Sequence, residues 1–200
     1  MLFRSIRFNN RKVLNSLIEF AGVSSKQAHT VFRVIDKLEK QGLEAVKLEL
    51  GPGRIDSSGA EIKGLGFKKE QIHKIEEFLK LPQKSRKEVL DSLRGLFKPV
   101  KSADNGITEL AEIDEYLTAL GISDAKASID LSIARGLDYY TGPVYEAVLL
   151  DAADFGSVMG GGRYDELIEK FIGEKVPATG ASVGIDRLFS AMQEDRKSVV

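Results

Sequence analysis

Residues 135–142 read Arg135-Gly136-Leu137-Asp138-Tyr139-Tyr140-Thr141-Gly142, which brings a fixed positive charge, a carboxylate and two phenols into one short stretch. An arginine stays charged at any working pH, while a carboxylate and phenols can pair with an ammonium or an imidazole. The two glycines let the backbone turn sharply or approach a ligand closely. Such a stretch can hold a small zwitterion together with an anion. The plainer alternative is an exposed turn whose tyrosines pack on the core.

The chain around this stretch has the pattern of a sheet with packed helices. Residues 127–133, 144–150 and 155–159 form apolar runs that predict strands of one antiparallel sheet, and helices are predicted over 163–172 and 181–193. Near the start, residues 2–8 predict a further strand, and Asn9 or Asn10 can cap the helix that follows.

Between residues 24 and 121 the apolar spacing is almost entirely helical. The exception is 51–66, where five glycines and one proline predict a loop. Strand, helix and strand patterns in separate blocks indicate an α+β fold with an inserted all-helical subdomain. We therefore expect catalytic-core segments at 1–23 and 122–200 and a helical insertion domain at 24–121.

Two further glycine-rich stretches follow residue 142. Gly160-Gly161-Gly162 precedes the helical pattern of 163–172, and free backbone donors at a helix start suit an anionic or zwitterionic ligand. Within 178–188, Gly180 and Gly184 are spaced like one helical turn, which would let a helix press on a sheet, with Arg187 near the same face. The alternatives are a flexible loop ending a strand and an ordinary amphipathic helix with a solvated arginine.

Composition excludes several classes of protein. The chain has 30% charged residues and a net charge of −1, so nothing general attracts it to nucleic acid or an anionic membrane. It has no cysteine, which excludes disulfides and thiolate metal sites. No apolar run approaches the ~20 residues of a membrane span, and the charged first residues are unlike a secretory signal. We expect a cytoplasmic protein.

Taken together, the three stretches resemble the histidine–tRNA ligases, which are class II aminoacyl-tRNA synthetases. Residues 135–146 resemble the first histidine-specific motif of that family, 160–168 the second, and 177–189 the third class II motif. The run 145–150 and the segment 7–12 are similar to the eukaryote-like and archaeal branch. The resemblance implies an antiparallel catalytic sheet and places this chain in the back half of a catalytic domain.

The resemblance also implies what these 200 residues lack. The first two class II motifs, which build the dimer interface and grip ATP, would precede residue 3, and the anticodon-binding domain would follow residue 200. We therefore expect the chain to be inactive alone and to self-associate through an apolar face that has lost its usual cover.

The implied chemistry is activation of histidine with ATP to histidyl-adenylate, followed by transfer to tRNA(His). ATP would bring Mg²⁺, and no protein-bound metal is expected. Arg135 would be catalytic, contacting both the α-phosphate and the histidine carboxylate. The resemblance implies that histidine is bound by Arg135, Tyr139, Tyr140, Gly160, Gly161, Gly162 and Tyr164. It implies that ATP is bound by Arg135, Gly184 and Arg187.

Three acidic side chains in these motifs have two interpretations each. Asp138 either pairs with Arg135 or contacts substrate. Glu146 points into the site or into water, and the site is favoured. Asp165 is expected to start a helix rather than bind a ligand.

Other polar residues outside the motifs carry weaker expectations. His29 and His73 have no partner pattern for a metal. Lys84, Arg86 and Lys87 either touch the tRNA acceptor stem or form a solvated helix end, which is the favoured interpretation. Asp186 stands where many family members have glutamate, so its carboxylate is kept.

Two alternative functions remain open on sequence grounds. A regulatory subunit of ATP phosphoribosyltransferase shares the fold but usually lacks the arginine before the Gly-Leu-Asp-Tyr-Tyr sequence, which is present here as Arg135. A non-catalytic histidine sensor or interaction module would bind histidine without ATP chemistry.

Overall fold

A computed structural model describes residues 4–134 and 139–197 of the chain. The strands are β1 Arg4–Asn10, β2 Gly53–Ile55, β3 Glu61–Lys63, β4 Ala127–Ile129, β5 Pro143–Leu149, β6 Ser157–Arg163 and β7 Thr179–Val183. The helices are α1 Arg11–Phe20, α2 Ala28–Ile35, α3 Leu38–Leu50, α4 Lys69–Leu79, α5 Arg86–Leu96, α6 Ala103–Ala119, α7 Glu169–Ile172 and α8 Ile185–Lys197, with short 3-10 turns at Ser25–Gln27 and Leu150–Phe155.

The main sheet has five strands in the order β4-β1-β5-β6-β7. Strands β1, β5, β6 and β7 pair antiparallel, while β4 runs parallel to β1. The predicted α+β class with a sheet and packed helices is therefore confirmed. The parallel pairing of β1 with β4 arises because these strands are joined through the long helical region rather than through a hairpin.

The two faces of this sheet differ in chemistry. Phe8 and Ile129 are paired in register and both belong to the buried apolar core beneath the helices. On the opposite face the register aligns Asn9 with Val144 and Val144 with Gly162. We call this second surface the polar face, because its cross-strand rows hold polar groups and glycines where the helical side holds large apolar groups.

The helical region shares its core with β1 and α1. Leu14 and Leu17 of α1 pack in one continuous cluster with Phe32, Phe78 and Leu110 of the later helices. At Gly106 a Cβ would come within 2.9 Å of Lys12 Cβ and Val13 N, so glycine lets α6 cross α1 closely. The helices predicted in this region are present as α1 to α6. Asn10 is the cap of α1, and its side chain accepts a hydrogen bond from Lys12 N at 2.9 Å.

Several sequence predictions of local structure were wrong. The loop expected at 51–66 contains the hairpin of β2 and β3, so the helical region is not all helix. The strand expected at 127–133 ends at Ile129 and is followed by a turn. The helix expected over 163–172 is reduced to α7, and the one expected over 181–193 begins at Ile185 because 179–183 form an edge strand.

Candidate functional site

Three tyrosines form an aromatic cluster at one end of strands β6 and β7. The ring centroids of Tyr139 and Tyr140 lie 4.7 Å apart, those of Tyr139 and Tyr164 5.7 Å apart, and those of Tyr140 and Tyr164 6.5 Å apart. The first two pairs meet edge to face, which the ring quadrupole favours. The structure thus brings together Tyr139, Tyr140 and Tyr164, which the sequence placed in two separate motifs.

Glycines beneath this cluster let the rings approach the sheet. A Cβ at Gly162 would lie 2.8 Å from Tyr140 Cδ1, and one at Gly180 would lie 2.5 Å from the Tyr164 hydroxyl. Gly162 and Gly180 are directly paired across β6 and β7, so their missing side chains leave space on the same face. The two rings therefore occupy space that a side chain at Gly162 or Gly180 would otherwise fill.

Gly160 differs from Gly162. A Cβ at Gly160 would meet nothing closer than the Tyr145 carbonyl oxygen at 3.8 Å. Because alternate residues of a strand share a face, Gly160 opens onto the polar face beside the tyrosines. It is paired with Glu146 on β5, which is 4% exposed. A small ligand can thus occupy space over Gly160 with tyrosines at one end and a carboxylate alongside.

The role expected for the glycine triplet at a helix start was wrong. Gly160, Gly161 and Gly162 lie inside β6 and pair with β5 on one side and β7 on the other. The next helix, α7, begins only at Glu169. Packing requires the second and third glycines, since a Cβ at Gly161 would lie 2.8 Å from the Tyr145 ring and one at Gly162 2.8 Å from the Tyr140 ring. These glycines line a surface and do not present helix-terminal donors.

The Tyr140 hydroxyl is held in its neutral form. Burial, together with a hydrogen bond and charge interaction with Tyr139, raises the pKa of Tyr140 to about 12. At neutral pH this phenol therefore keeps its proton and can both donate and accept a hydrogen bond. A neutral imidazole, which has one donor and one acceptor nitrogen, is complementary to such a group.

Polar contacts fix the chain segments that carry the tyrosines. Thr141 N donates to the Arg163 carbonyl oxygen at 2.9 Å, and Asp165 N donates to Thr141 Oγ1 at 3.1 Å. Arg163 Nε reaches both carboxylate oxygens of Asp165, at 2.9 and 3.0 Å, and this hydrogen bond lowers the Asp165 pKa. Asp165 does not start a helix as expected, because it is used to hold Arg163.

Arg187 lies at the other end of β6. It is exposed in the first turn of α8, and its NH1 donates to the Ser157 carbonyl oxygen at 2.8 Å. Ser157 and Gly162 are five residues apart along β6, which corresponds to roughly 17 Å. Gly184 N donates to the Val158 carbonyl oxygen at 2.8 Å. The expected one-turn spacing of Gly180 and Gly184 on a helix was wrong, because Gly180 is in β7.

The remaining charged residues of the three motifs differ in their placement. Arg135 and Asp138 lie outside the described residues. Glu146 pairs with Gly160 on the polar face and is 4% exposed, so it does not point into water; its place in a substrate site stays a prediction. Asp186 is exposed in the first turn of α8. No group of three or more His, Cys, Asp or Glu side chains within 4–134 and 139–197 could hold a metal ion, and His29 and His73 are both exposed.

The three basic residues at the start of α5 differ in exposure. Lys84 and Lys87 are exposed, but Arg86 is buried, with Nε 2.5 Å from Asp114 Oδ1 and NH1 2.7 Å from the Ala127 carbonyl oxygen. The favoured description as a solvated helix end was therefore wrong for Arg86. A contact between its guanidinium and tRNA is also excluded by this packing.

Two residues important for the site were missed from the sequence. Asn9 is fully buried on the polar face and donates to the carbonyl oxygens of Leu131 and Ile133, at 3.4 and 3.1 Å. Tyr145 crosses Gly161 on the helical side, and its hydroxyl donates to the Gly180 carbonyl oxygen at 3.0 Å. An asparagine beside a cap position and a tyrosine inside a strand give no sequence signal for such cross-sheet contacts.

Comparison with known proteins gives the family. A family model described as histidyl-tRNA synthetase matches residues 4–188. The chain belongs to the histidyl-tRNA synthetase family. Among curated relatives of this family, it is 46% identical over 197 residues to a histidine–tRNA ligase of Paracoccus denitrificans and 42% identical over 198 residues to one of Caulobacter vibrioides. In both cases the match covers 94% of this chain and 40% of the relative, so the chain spans about two fifths of their length.

Solved structures agree with this membership. The histidyl-tRNA synthetase of Nostoc sp. PCC 7120 has a TM-score of 0.82 at 39% identity, covering 96% of this chain and 42% of that one. A Bacillus halodurans protein described as an ATP phosphoribosyltransferase regulatory subunit/histidyl-tRNA synthetase has a TM-score of 0.70 at 25% identity, covering 95% and 44%. The class II synthetase catalytic fold is therefore shown. These relatives are bacterial and do not support the eukaryote-like and archaeal branch.

Proposed function

We propose that this chain contributes the histidine pocket and one side of the ATP site to a histidine–tRNA ligase, which forms histidyl-adenylate and transfers histidine to tRNA(His). The observation that carries the proposal is the pair of rings, Tyr140 and Tyr164, seated over Gly162 and Gly180 beside the open space at Gly160. This arrangement suits a small planar zwitterion. Membership in the histidyl-tRNA synthetase family supports histidine as that ligand.

In the proposed pocket, aromatic rings and sheet backbone bind the imidazole. The neutral Tyr140 hydroxyl pairs with one imidazole nitrogen, and Tyr164 lies close enough to share the ring. Tyr139 closes the cluster behind them. Gly160, Gly161 and Gly162 form the floor, with Gly160 nearest the ligand. Because these groups are on strands and on a segment tied to them, the imidazole is held with little reorganisation.

In the proposed reaction, a histidine carboxylate oxygen attacks the α-phosphorus of ATP. The bond from that phosphorus to the bridging oxygen breaks, and pyrophosphate leaves with the Mg²⁺ that ATP carried. Arg135 neutralises charge on the carboxylate and the α-phosphate, since positioning and fixed positive charge dominate such displacements. A hydroxyl at the tRNA 3′ end then attacks the histidyl carbonyl carbon of the adenylate, the acyl–phosphate bond breaks, and AMP leaves.

Arg187 and Gly184 are proposed for the ATP side of the site. The separation of roughly 17 Å between the two ends of β6 suits a ligand that extends from the amino acid towards adenine or the γ-phosphate. Arg187 is exposed, and its guanidinium plane can stack on a base while NH1 keeps its bond to Ser157. Gly184 allows the backbone close approach at the start of α8.

The proposal also assigns a role to each part of the chain, a partner and a cellular compartment. Residues 1–23 and 122–200 act as catalytic core, and 24–121 act as an insertion whose exposed Lys84 and Lys87 are candidates for tRNA contact. The working compartment is the cytoplasm. No helix in the described part of the chain has the length and apolarity needed to cross a bilayer.

Self-association is proposed through the surface of β7 and α8. Ile185, Phe189 and Met192 follow a helical spacing along α8 and are 75%, 59% and 46% exposed. Val183 of the edge strand, 53% exposed, extends the apolar surface. Sedimentation at high concentration should show dimers or larger species, and a clean monomer would contradict this expectation.

A regulatory, non-catalytic role is the second candidate. It is favoured by the structural similarity to the Bacillus halodurans protein, whose description includes a regulatory subunit. The ligase role is preferred, because relatives with over 40% identity are described as histidine–tRNA ligases. A regulatory protein would bind histidine and give no ATP chemistry.

Histidine-dependent ATP–pyrophosphate exchange tests the ligase proposal, with Arg135→Ala as the control. Histidine binding is measured in parallel by calorimetry. Binding together with exchange that Arg135→Ala abolishes supports the ligase role. Binding without exchange means either that this chain is incomplete for activation or that it is a regulator, and addition of a relative's remaining catalytic segment separates the two. A folded chain that does not bind histidine contradicts the proposed pocket.

A further inference from the structure

Residues 130–133, which lead towards Arg135, form a turn whose backbone groups are nearly all hydrogen-bonded. Asp130 N donates to the Phe8 carbonyl oxygen at 2.9 Å, and Ile133 N donates to the Asp130 carbonyl oxygen at 3.2 Å. The Asp130 side chain accepts from Ser132 N and Ser132 Oγ, at 2.9 and 2.6 Å. These hydrogen bonds hold the turn, which ends two residues before Arg135.

The same turn is tied to the polar face and to the helical region. Asn9 holds the carbonyl oxygens of Leu131 and Ile133 from below. Leu131 is fully buried, and its backbone N donates to Gln83 Oε1 at 3.1 Å. Gln83 lies between α4 and α5, 48 residues away in sequence, so a residue of the helical region supplies the acceptor for a buried amide next to the site.

A second tie from the helical region passes through Arg7. Its NH1 is 3.2 Å from Asp130 Oδ2, and its NH2 is 3.0 Å from Glu39 Oε1 on α3. Glu39 is 63% exposed, so this ion pair is the weaker of the two ties. Gln83 is also exposed, but its contact is the stronger one, because the N–H that it serves belongs to the fully buried Leu131 and would lose that acceptor.

We propose that Gln83 is a positioning residue for histidine activation. It holds the turn at 130–133 in place, and this turn leads into the segment that carries Arg135. The inference rests on the proposed function in one respect, that Arg135 acts on histidine and ATP. It assigns a task to the helical region that does not require this region to touch either substrate. The site would then be completed across the helical region and the sheet.

The test compares Gln83→Leu, which removes the acceptor, with Gln83→Glu, which keeps an acceptor oxygen. Gln71→Leu is the matched control, since Gln71 also bonds a distant backbone group, the Gly22 carbonyl oxygen at 2.8 Å, but is remote from the turn. Amide hydrogen exchange of the 200-residue chain is followed by mass spectrometry, and histidine affinity by calorimetry.

We expect Gln83→Leu to accelerate exchange in 130–134 by roughly tenfold, the order expected when a buried amide loses its partner, and to weaken histidine binding. Gln83→Glu should restore both quantities, and Gln71→Leu should change neither. Unchanged exchange in Gln83→Leu, a uniform rise along the chain, or a loosened turn with unaltered histidine affinity would overturn the inference. If the unmodified chain binds no histidine, the proposed pocket is contradicted. The exchange rate at 130–134 in Gln83→Leu still decides the role of Gln83: faster exchange means that Gln83 holds the turn, and unchanged exchange means that it does not.

Discussion

A single added methyl group at Gly160 should separate ligand binding from folding. The Cβ of Gly160→Ala would meet the Tyr145 carbonyl oxygen at 3.8 Å, which is an ordinary van der Waals distance, so the protein itself can accept it. The same Cβ would project into the space proposed for histidine. The variant should therefore fold normally and bind histidine poorly.

The expected magnitudes differ between two glycines that lie two residues apart. One methyl group too many in a pocket is worth about 1–3 kcal/mol, so Gly160→Ala should weaken histidine binding roughly 10–200-fold. Its effect on the free energy of unfolding should stay within about 1 kcal/mol. At Gly162 a Cβ would lie 2.8 Å from both Tyr140 Cδ1 and the Pro143 carbonyl oxygen. Gly162→Ala should therefore destabilise the fold by about 1–3 kcal/mol through overpacking.

Histidine affinity by calorimetry and the free energy of unfolding by urea denaturation are the two assays. Gly95→Ala on α5 is the matched control, because a Cβ there meets nothing within 4 Å and the residue is exposed on a helix that is not part of the proposed pocket. This control should be slightly stabilising and bind histidine normally. If Gly160→Ala binds histidine as tightly as the unmodified chain, the ligand does not occupy the space over Gly160 and the reasoning is refuted.

Three further predictions concern single side chains. In a spectrophotometric titration, one phenol should ionise near pH 12, and this transition should be absent in Tyr140→Phe. Because the phenol ionises at lower pH in the unfolded chain, the folded state should lose stability as pH rises from about 10 to 12. A transition near pH 12 that persists in Tyr140→Phe would assign the raised pKa to another tyrosine. Arg86→Leu should lower the free energy of unfolding by about 2 kcal/mol, since it leaves the partly buried Asp114 carboxylate and the Ala127 carbonyl oxygen without their donor. Lys87→Leu on the exposed side should change it little, and equal effects of the two substitutions in urea denaturation would contradict this account. Arg187→Ala should weaken ATP binding in calorimetry and leave histidine affinity unchanged. A loss of histidine affinity would contradict the assignment of Arg187 to the ATP side of the site.

The periodic parts of the fold were predictable from the sequence. Val13, Leu14 and Leu17 lie on one face of α1 and are fully buried, as their spacing predicts. The hairpin of β2 and β3 was missed because its glycines and turn residues also fit a loop. There Asp56 organises the turn by accepting from Ser58 and Ala60, a contact that composition does not reveal.

The glycine triplet was misread for a physical reason. Glycine has a low strand propensity, so a run of three predicts the end of a strand. Here the strand continues because neighbouring tyrosines need the volume, with Tyr145 crossing Gly161 on one face and Tyr140 lying over Gly162 on the other. Requirements imposed by residues distant in sequence are invisible to local patterns. The same holds for Arg86, whose partners come from α6 and from the start of β4.

The directly paired glycines of β6 and β7 explain how the site obtains a rigid wall. Gly162 and Gly180 remove two side chains from one row of the sheet, so Tyr140 and Tyr164 rest on backbone that is fixed by ladder hydrogen bonds. Side chains in a pocket can change rotamer, but paired strand backbone moves little. The ring positions are then set by the sheet register, and a change of register between β6 and β7 would displace both tyrosines together. Shape at this end of the proposed pocket thus depends on glycine placement, while fixed positive charge is left, in the proposed function, to Arg135.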